Sequence, residues 1–255
     1  MATALITGGT SGIGAAFARA LATRGGDLVL VARDGNRLSE IATDLKERHA
    51  INVETITADL AVRDEVIGIA ERLTSVEQPI DMLINNAGFG VRAKLTDSDM
   101  TPHEHAIDVM IRAVLILGSA AGRTMRQRGA GNIINVSSTA GFLATGHYAA
   151  IKAWVTTYSE SLANELHGTG VNVTALCPGW VRTEFHERAD INTSSIPDRL
   201  WLDAHRLVTD CLEDAAAGKV ISIPSKRYKV LITICEHLPH RAVRAVSRRV
   251  MSTRH

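Results

Sequence analysis

Apolar residues in this chain gather into seven short runs, at 3–7, 27–32, 53–57, 80–85, 132–137, 171–176 and 219–223. Each has strand length and is rich in β-branched and aliphatic side chains. Their apolar character is nearly continuous rather than alternating, which suits strands covered on both faces of a parallel sheet. Amphipathic stretches of helical length fall between them, among them 36–49, 63–75, 103–127 and 148–166. Strand and helix alternating in this way, with right-handed crossovers, predict an α/β fold: a doubly wound parallel seven-stranded sheet with helices on both faces. No linker, repeat or low-complexity stretch interrupts the pattern, so a single domain over residues 1–255 is expected. The one irregular stretch, 183–214, lies between the sixth and seventh strands.

Composition narrows this picture in three ways. Apolar residues make up 45% of the chain and charged ones 22%, ordinary for a soluble enzyme. Aromatics are only 4%, so the core must be aliphatic, and an aromatic-lined nucleic-acid surface is not expected. The formal net charge of +1 hides a division. From Lys226 onward eight Lys/Arg face one acid, Glu236, so this basic C-terminal segment (226–255) carries +7 and the remainder −6. Basic residues interleaved with apolar ones are compatible either with a solvated helix capping the fold or with peripheral contact with an anionic membrane.

Cys177, Cys211 and Cys235 are well separated and odd in number, a pattern of reduced thiols with neither a disulfide framework nor a zinc site. A strand opening at Thr3 leaves little room for a signal peptide, and the apolar runs are too short to span a bilayer. A cytoplasmic protein, at most peripheral at a membrane, is the expectation.

Four motifs carry the chemistry. Thr7-Gly8-Gly9-Thr10-Ser11-Gly12-Ile13-Gly14 joins the first strand to the first helix. There the backbone must turn sharply and approach a phosphate, and the helix N-terminus supplies free N–H groups and a positive dipole end. Asn85-Asn86-Ala87-Gly88 ends the fourth strand and Ser137-Ser138 the fifth. Tyr148 and Lys152 stand four residues apart, on one face of a helix. An ammonium there can lower the pKa of a phenol, as an acid serving a ketone–alcohol pair requires.

In this order the four motifs resemble the short-chain dehydrogenase/reductase family, of single-domain type, which implies a Rossmann-like fold. The resemblance implies that Gly8, Thr10, Ser11, Gly12, Ile13 and Gly14 cradle the pyrophosphate of a nicotinamide dinucleotide. Asp59 and Leu60 match the family's adenine-contacting pair, and Asn86, Ala87 and Gly88 pass close to the adenosine ribose. Cys177-Pro178-Gly179 resembles the family's turn beside the nicotinamide, with Pro178, Gly179 and Val181 lining it and Thr183 hydrogen-bonding the carboxamide. An NAD site would place an acid at the end of the second strand. This chain has Val31-Ala32-Arg33-Asp34, where Arg33 can clamp a 2′-phosphate. NADP(H) is therefore the implied cofactor and NAD the lesser alternative, although Asp34 follows immediately.

By the same resemblance Ser138 orients a carbonyl oxygen and Tyr148 donates the proton. Lys152 holds the ribose and lowers the tyrosine pKa. Two departures stand beside this. Met110 falls where many members carry an asparagine that holds a relay water, and a thioether is a weak acceptor. Ser138 also lies only ten residues before Tyr148, closer than is usual in the family, so that Ser137 and Thr139 remain alternatives to it. His147 beside the tyrosine reads as a wet loop histidine.

On the substrate side, Phe185, Ile191, Ile196, Leu200, Trp201, Leu202 and Leu207 offer apolar surface suited to a hydrophobic ketone, acyl or steroid-like substrate. Packing of this insertion, 183–214, onto the domain is the plainer use for them. The run from Cys177 to His186 resembles actinobacterial members called ketoacyl reductases. The sequence thus supports an NADPH-dependent carbonyl reductase. A catalytically weak NADP(H)-binding partner or sensor is the alternative. Homo-oligomerisation through the fourth and fifth helices is expected by the same resemblance.

Overall fold

Seven parallel strands form the central sheet of the computed structural model, which describes residues 2–183 and 197–252. The first half runs β1 (Thr3–Thr7), α1 (Gly12–Thr23), β2 (Asp27–Ala32), α2 (Gly35–His49), β3 (Val53–Thr57), α3 (Arg63–Leu73) and β4 (Met82–Asn85). A long helical stretch follows as α4 (Thr101–Ile107), a π-helical turn (Asp108–Arg112) and α5 (Ala113–Arg128). Then come β5 (Gly131–Val136), α6 (His147–Glu165), β6 (Val171–Leu176) and a two-stranded pair, β7 (Trp180–Val181) with β8 (Trp201–Leu202). The chain continues through α7 (Ala204–Ala216), β9 (Ile221–Ser222), α8 (Lys226–His237) and α9 (His240–Ser252).

The sheet order is β3-β2-β1-β4-β5-β6-β9. It reverses direction of growth between β1 and β4, and open sheets of this kind bind ligands at such a switch point, at the carboxyl ends of the strands. In-register pairing carries Thr7, Asn85 and Val136 to that edge, opposite Val31, Asn135 and Leu176 respectively.

The pleat divides each strand between two apolar layers. Ala4 and Ile6 of β1, with Leu28 and Leu30 of β2, face a layer with Phe17, Leu38, Leu207 and Val208. Leu5, Val29 and Val31 face the opposite layer with Val66, Ile69, Leu117 and Leu162. This two-sided burial is why the strands read as continuous apolar runs. Residues 101–128 together are long and apolar enough to cross a membrane by length and composition. Val109, Ala113, Leu117 and Ala121, at four-residue spacing, bury that stretch in the second layer instead.

Local chemistry sets the element ends. Asp34 caps α2 by accepting from the Arg37 N–H at 3.0 Å, and α5 stops at Gly129 in the left-handed region (φ 74°). Three details differ from the sequence expectations. The long helix is interrupted by its π-helical turn. The stretch 183–214 is not wholly irregular, since β8 and most of α7 fall within it. Leu207 belongs to the core (1% exposed) rather than to a substrate surface. Phe185, Ile191 and Ile196 lie outside the described residues.

Truncating Leu5, which is fully buried, to alanine is expected to cost about 2–5 kcal/mol of stability. Val76→Ala, at a site 88% exposed, should stay within about 0.5 kcal/mol. Urea melts of both variants check the assignment of the two layers.

Candidate active site

The turn after β1 is built so closely that side chains are excluded. Gly8 has φ 66° and donates its N–H to Val31 O at 2.8 Å. A Cβ on Gly14 would drive into the Gly8 carbonyl and the Asn86 amide. Asn86 knits the turn to β4, donating from Nδ2 to Thr7 O (2.9 Å) and Gly8 O (3.2 Å). The Thr7 hydroxyl accepts from the N–H groups of Asn86 and Ala87 at 3.0 and 3.1 Å. Thr10 is buried, Ser11 gives α1 no side-chain cap, and Ile13 packs against the first apolar layer. A helix start with no side-chain cap above a glycine-rich turn fits a pyrophosphate.

At the end of β2, Arg33 is exposed while the Asp34 carboxylate is spent on capping α2. The chain therefore presents a cation there, with its neighbouring acid turned to the helix. After β3, Asp59 accepts from the Ala61 N–H at 2.9 Å and Leu60 is buried. Arg112, from the π-helical turn, donates to Ala61 O and so ties this loop to the long helix.

Tyr148 and Lys152 lie on one side of α6, with the Lys152 Nζ 5.7 Å from the centre of the Tyr148 ring. Lys152 is only 4% exposed, and Nζ donates to Val136 O at 2.7 Å. Burial lowers its pKa to about 8. Burial pushes the Tyr148 phenol up to about 12, with the hydrogen bond from the Ser138 hydroxyl pulling the other way. The expected depression of the tyrosine by the lysine is not what dominates here, because burial lowers the Lys152 pKa to about 8 and so leaves it neutral at the pH where the phenol ionises.

The three hydroxyls near this point have different partners. Ser138 accepts from the Ala140 N–H at 3.1 Å and hydrogen-bonds to Tyr148. Ser137 instead donates to Lys152 O and meets Thr156, both at 2.7 Å. Thr139 donates to Pro178 O at 3.1 Å. Of the three candidates, Ser138 is the one hydrogen-bonded to the phenol.

The residues expected beside the nicotinamide lie at the same edge. Pro178 O also accepts from the Thr139 N–H (2.9 Å), Val181 is buried, and Thr183 stands against Gly12. A Cβ on Gly88 would lie 3.1 Å from Met110 Sδ and 3.6 Å from Lys152 Nζ. The π-helical turn therefore aims the Met110 thioether at the lysine's surroundings, a use such turns often have near functional sites.

Two features here have no signal in the sequence. Tyr228 of α8 lies with its ring against Gly179, accepts from the Trp180 N–H (3.1 Å) and donates to Leu200 O (2.9 Å). His147 is not simply a wet loop residue: its Nδ1 is 2.7 Å from Nδ1 of His103, which is 2% exposed. His103 Nε2 is 3.1 Å from Lys94 O. A carbonyl only accepts, so His103 carries its proton on Nε2 and His147 donates from Nδ1 when both are neutral. Partial burial and the neighbouring His103 lower the His147 pKa.

A glycine turn at the switch point, with a serine–tyrosine–lysine group across the strand ends, defines a dinucleotide-dependent oxidoreductase. Residues 2–193 match the short chain dehydrogenase family, and the chain belongs to it. It acts on a CH–OH or C=O group as an NAD(P)-dependent enzyme. It is 37% identical over 183 residues to an uncharacterized oxidoreductase of Staphylococcus saprophyticus, covering 71% of this chain and 78% of that one. Among solved structures it resembles a short-chain dehydrogenase from Sphingobium yanoikuyae in complex with NADPH (32% identity, TM-score 0.83, 94% and 97% coverage). It also resembles a bulky-bulky ketone specific alcohol dehydrogenase from Comamonas testosteroni (30% identity, TM-score 0.79, 94% and 96% coverage).

All three tyrosines of the chain are raised, Tyr148 and Tyr158 to about 12 and Tyr228 upward as well, each chiefly by burial. A spectrophotometric titration should therefore show little tyrosinate in the folded protein at pH ~10, where a free phenol is half ionised. The unfolded chain ionises first, so stability is full below pH ~10 and falls as pH climbs toward about 12. A normal tyrosinate transition without unfolding would contradict this burial.

Proposed function

We propose that the protein is an NADPH-dependent reductase of a hydrophobic ketone or 3-oxoacyl group, with Ser138, Tyr148 and Lys152 as its catalytic residues. The observation that carries this reading is the half-buried Tyr148 ring 5.7 Å from the buried Lys152 Nζ, with Ser138 hydrogen-bonded to the phenol. When bound, the cofactor supplies the hydride that goes to the carbonyl carbon. Tyr148 gives its proton to the carbonyl oxygen, and its high pKa keeps that proton in place at neutral pH. Ser138 donates a hydrogen bond to the same oxygen and fixes its direction. Lys152 neutralises the phenolate that remains and holds the ribose hydroxyls with the protons not directed at Val136.

The exposed Arg33 and the engagement of Asp34 as a helix cap favour a 2′-phosphate over a bare ribose. The NADPH complex of the Sphingobium relative points the same way, and the bulky ketones named for the Comamonas enzyme accord with a hydrophobic substrate. Leu200, Trp201 and Leu202 offer apolar surface beside the Gly179 turn. The groove between α5 and α6, where the Tyr158 hydroxyl is buried with no partner among the described residues, suits a second copy of the chain. We read the protein as cytoplasmic, with a basic tail able to touch a membrane. The second reading, an NADP(H)-binding protein with weak turnover, is favoured by the Met110 thioether beside Lys152.

Tyr148→Phe is expected to lower kcat/KM for ketone reduction by roughly 100- to 10,000-fold. NADPH affinity, read by fluorescence titration, should stay near the wild-type value. Wild-type protein that binds NADPH but turns over no bulky ketone would favour the second reading. Arg33→Ala should weaken NADPH binding roughly 10- to 100-fold while leaving NADH unchanged. Equal loss for both cofactors would remove the 2′-phosphate assignment.

A further inference from the structure

Of the two C-terminal helices, the first exposes an apolar row and the second a set of arginines. On α8, Tyr228 and Ile232 are buried against the body, with Cys235 half-buried on the same side. The other side leaves Val230 60%, Leu231 49% and Ile234 53% exposed, and Leu238 follows at 36%. Residues 230, 234 and 238 recur every four positions and so share one side of the helix. On α9, Ser247 turns inward while Arg241, Arg244, Arg248 and Arg249 are exposed, with Val246 42% exposed. Large side chains exposed side by side in this way mark an interaction surface.

Charge decides the occupant. The segment carries +7 on a body of −6, so a second copy docked tail to tail would bring like charges together. A nucleic acid would meet the cations but gain nothing from a row of aliphatic side chains. An anionic bilayer satisfies both, with the aliphatic row at the acyl boundary and the guanidinium groups among the phosphates. Through their inward faces the same two helices hold segments of the active site. Tyr228 lies on Gly179, and the Ser247 hydroxyl accepts from the Ala144 N–H at 3.0 Å, in the loop between Ser138 and Tyr148.

We propose that α8 and α9 dock the protein peripherally on an anionic lipid bilayer, and that this holds the site, which the inward faces of the same helices touch, close to the membrane. The first half stands by itself; the second rests on the reading of the protein as a reductase of apolar ketones. A membrane-held enzyme then takes its ketone from the lipid phase rather than from water.

Vesicle flotation tests the first half without any turnover. The full-length protein should float with phosphatidylcholine vesicles containing phosphatidylglycerol, not with phosphatidylcholine alone, and binding should weaken as salt rises. Each cation near such a surface raises partitioning by roughly fivefold. Arg244→Glu/Arg248→Glu is therefore expected to lose roughly thirtyfold or more, and Val230→Asp/Ile234→Asp should likewise lose binding. Retained NADPH binding in both variants shows that they fold. No flotation with anionic vesicles at low salt, flotation untouched by the charge reversal, or an apolar row that instead drives self-association in sedimentation would each overturn docking. For the second half, Val230→Asp/Ile234→Asp should raise KM for a vesicle-dissolved ketone and leave kinetics on a water-soluble ketone unchanged. Equal KM for both ketones would overturn delivery from the bilayer while leaving docking and reductase activity intact.

Discussion

A buried lysine pinned to a strand end fixes how α6 sits on the sheet. Lys152 is nearly inaccessible, and its Nζ hydrogen bond to Val136 O joins α6 to β5 at the sheet's carboxyl edge. The same helix is held by the Ser137 hydroxyl on Lys152 O and by Asn135 Nδ2 on the Ser159 hydroxyl at 3.0 Å. Asn135 in turn accepts from Asn85 Nδ2 at 2.9 Å, so the chain of polar contacts runs from α6 through β5 to β4. Unpaired, such groups would each cost several kcal/mol in this interior. Paired, they fix the rotation of α6 on the sheet, and with it the direction in which Tyr148 points.

The sheet was largely legible in the sequence because its strands are buried on both faces. β1, β2, β3 and β6 begin and end where the apolar runs do, and the turn glycines follow from the lack of room around Gly8 and Gly14. β9 is shorter than its run, since Ala175 and Leu176 alone pair with it. The π-helical turn was not legible. It changes no apolar spacing that a periodicity could register, yet it governs where Met110 and Arg112 point. The partners of His147 and Tyr228 were hidden for another reason: each contact spans more than forty residues and depends on how separate elements dock.

Met110 changes what surrounds the lysine rather than where it sits. Its sulfur and the lysine nitrogen both lie within 4 Å of the place a Gly88 side chain would take. A thioether contributes polarizable bulk and a weak acceptor, not a strong one. The ammonium is therefore left with a single strong acceptor among the described residues, Val136 O. That scarcity accords with a lysine pKa of about 8 rather than an ordinary one. It also makes Lys152 sensitive to whatever oxygen atoms a ligand brings to it.

The short connection between Ser138 and Tyr148 shows how a missing length of loop is absorbed. Residues Thr139–Phe142 wind into a 3-10 turn that the Ser138 side chain caps, which shortens the path without moving the serine from the phenol. The remainder is held from three directions. Thr139 is fixed to Pro178 after β6, Ala144 to Ser247 of the tail, and His147 to His103 of α4. The last tie matters most for the tyrosine, because α6 opens at Gly146 (φ 107°) with no side-chain cap. The His147–His103 contact serves as the anchor that an ordinary capping residue would otherwise provide. Loop length, helix start and catalytic geometry are thus one problem in this chain, solved by contacts that come from three different elements.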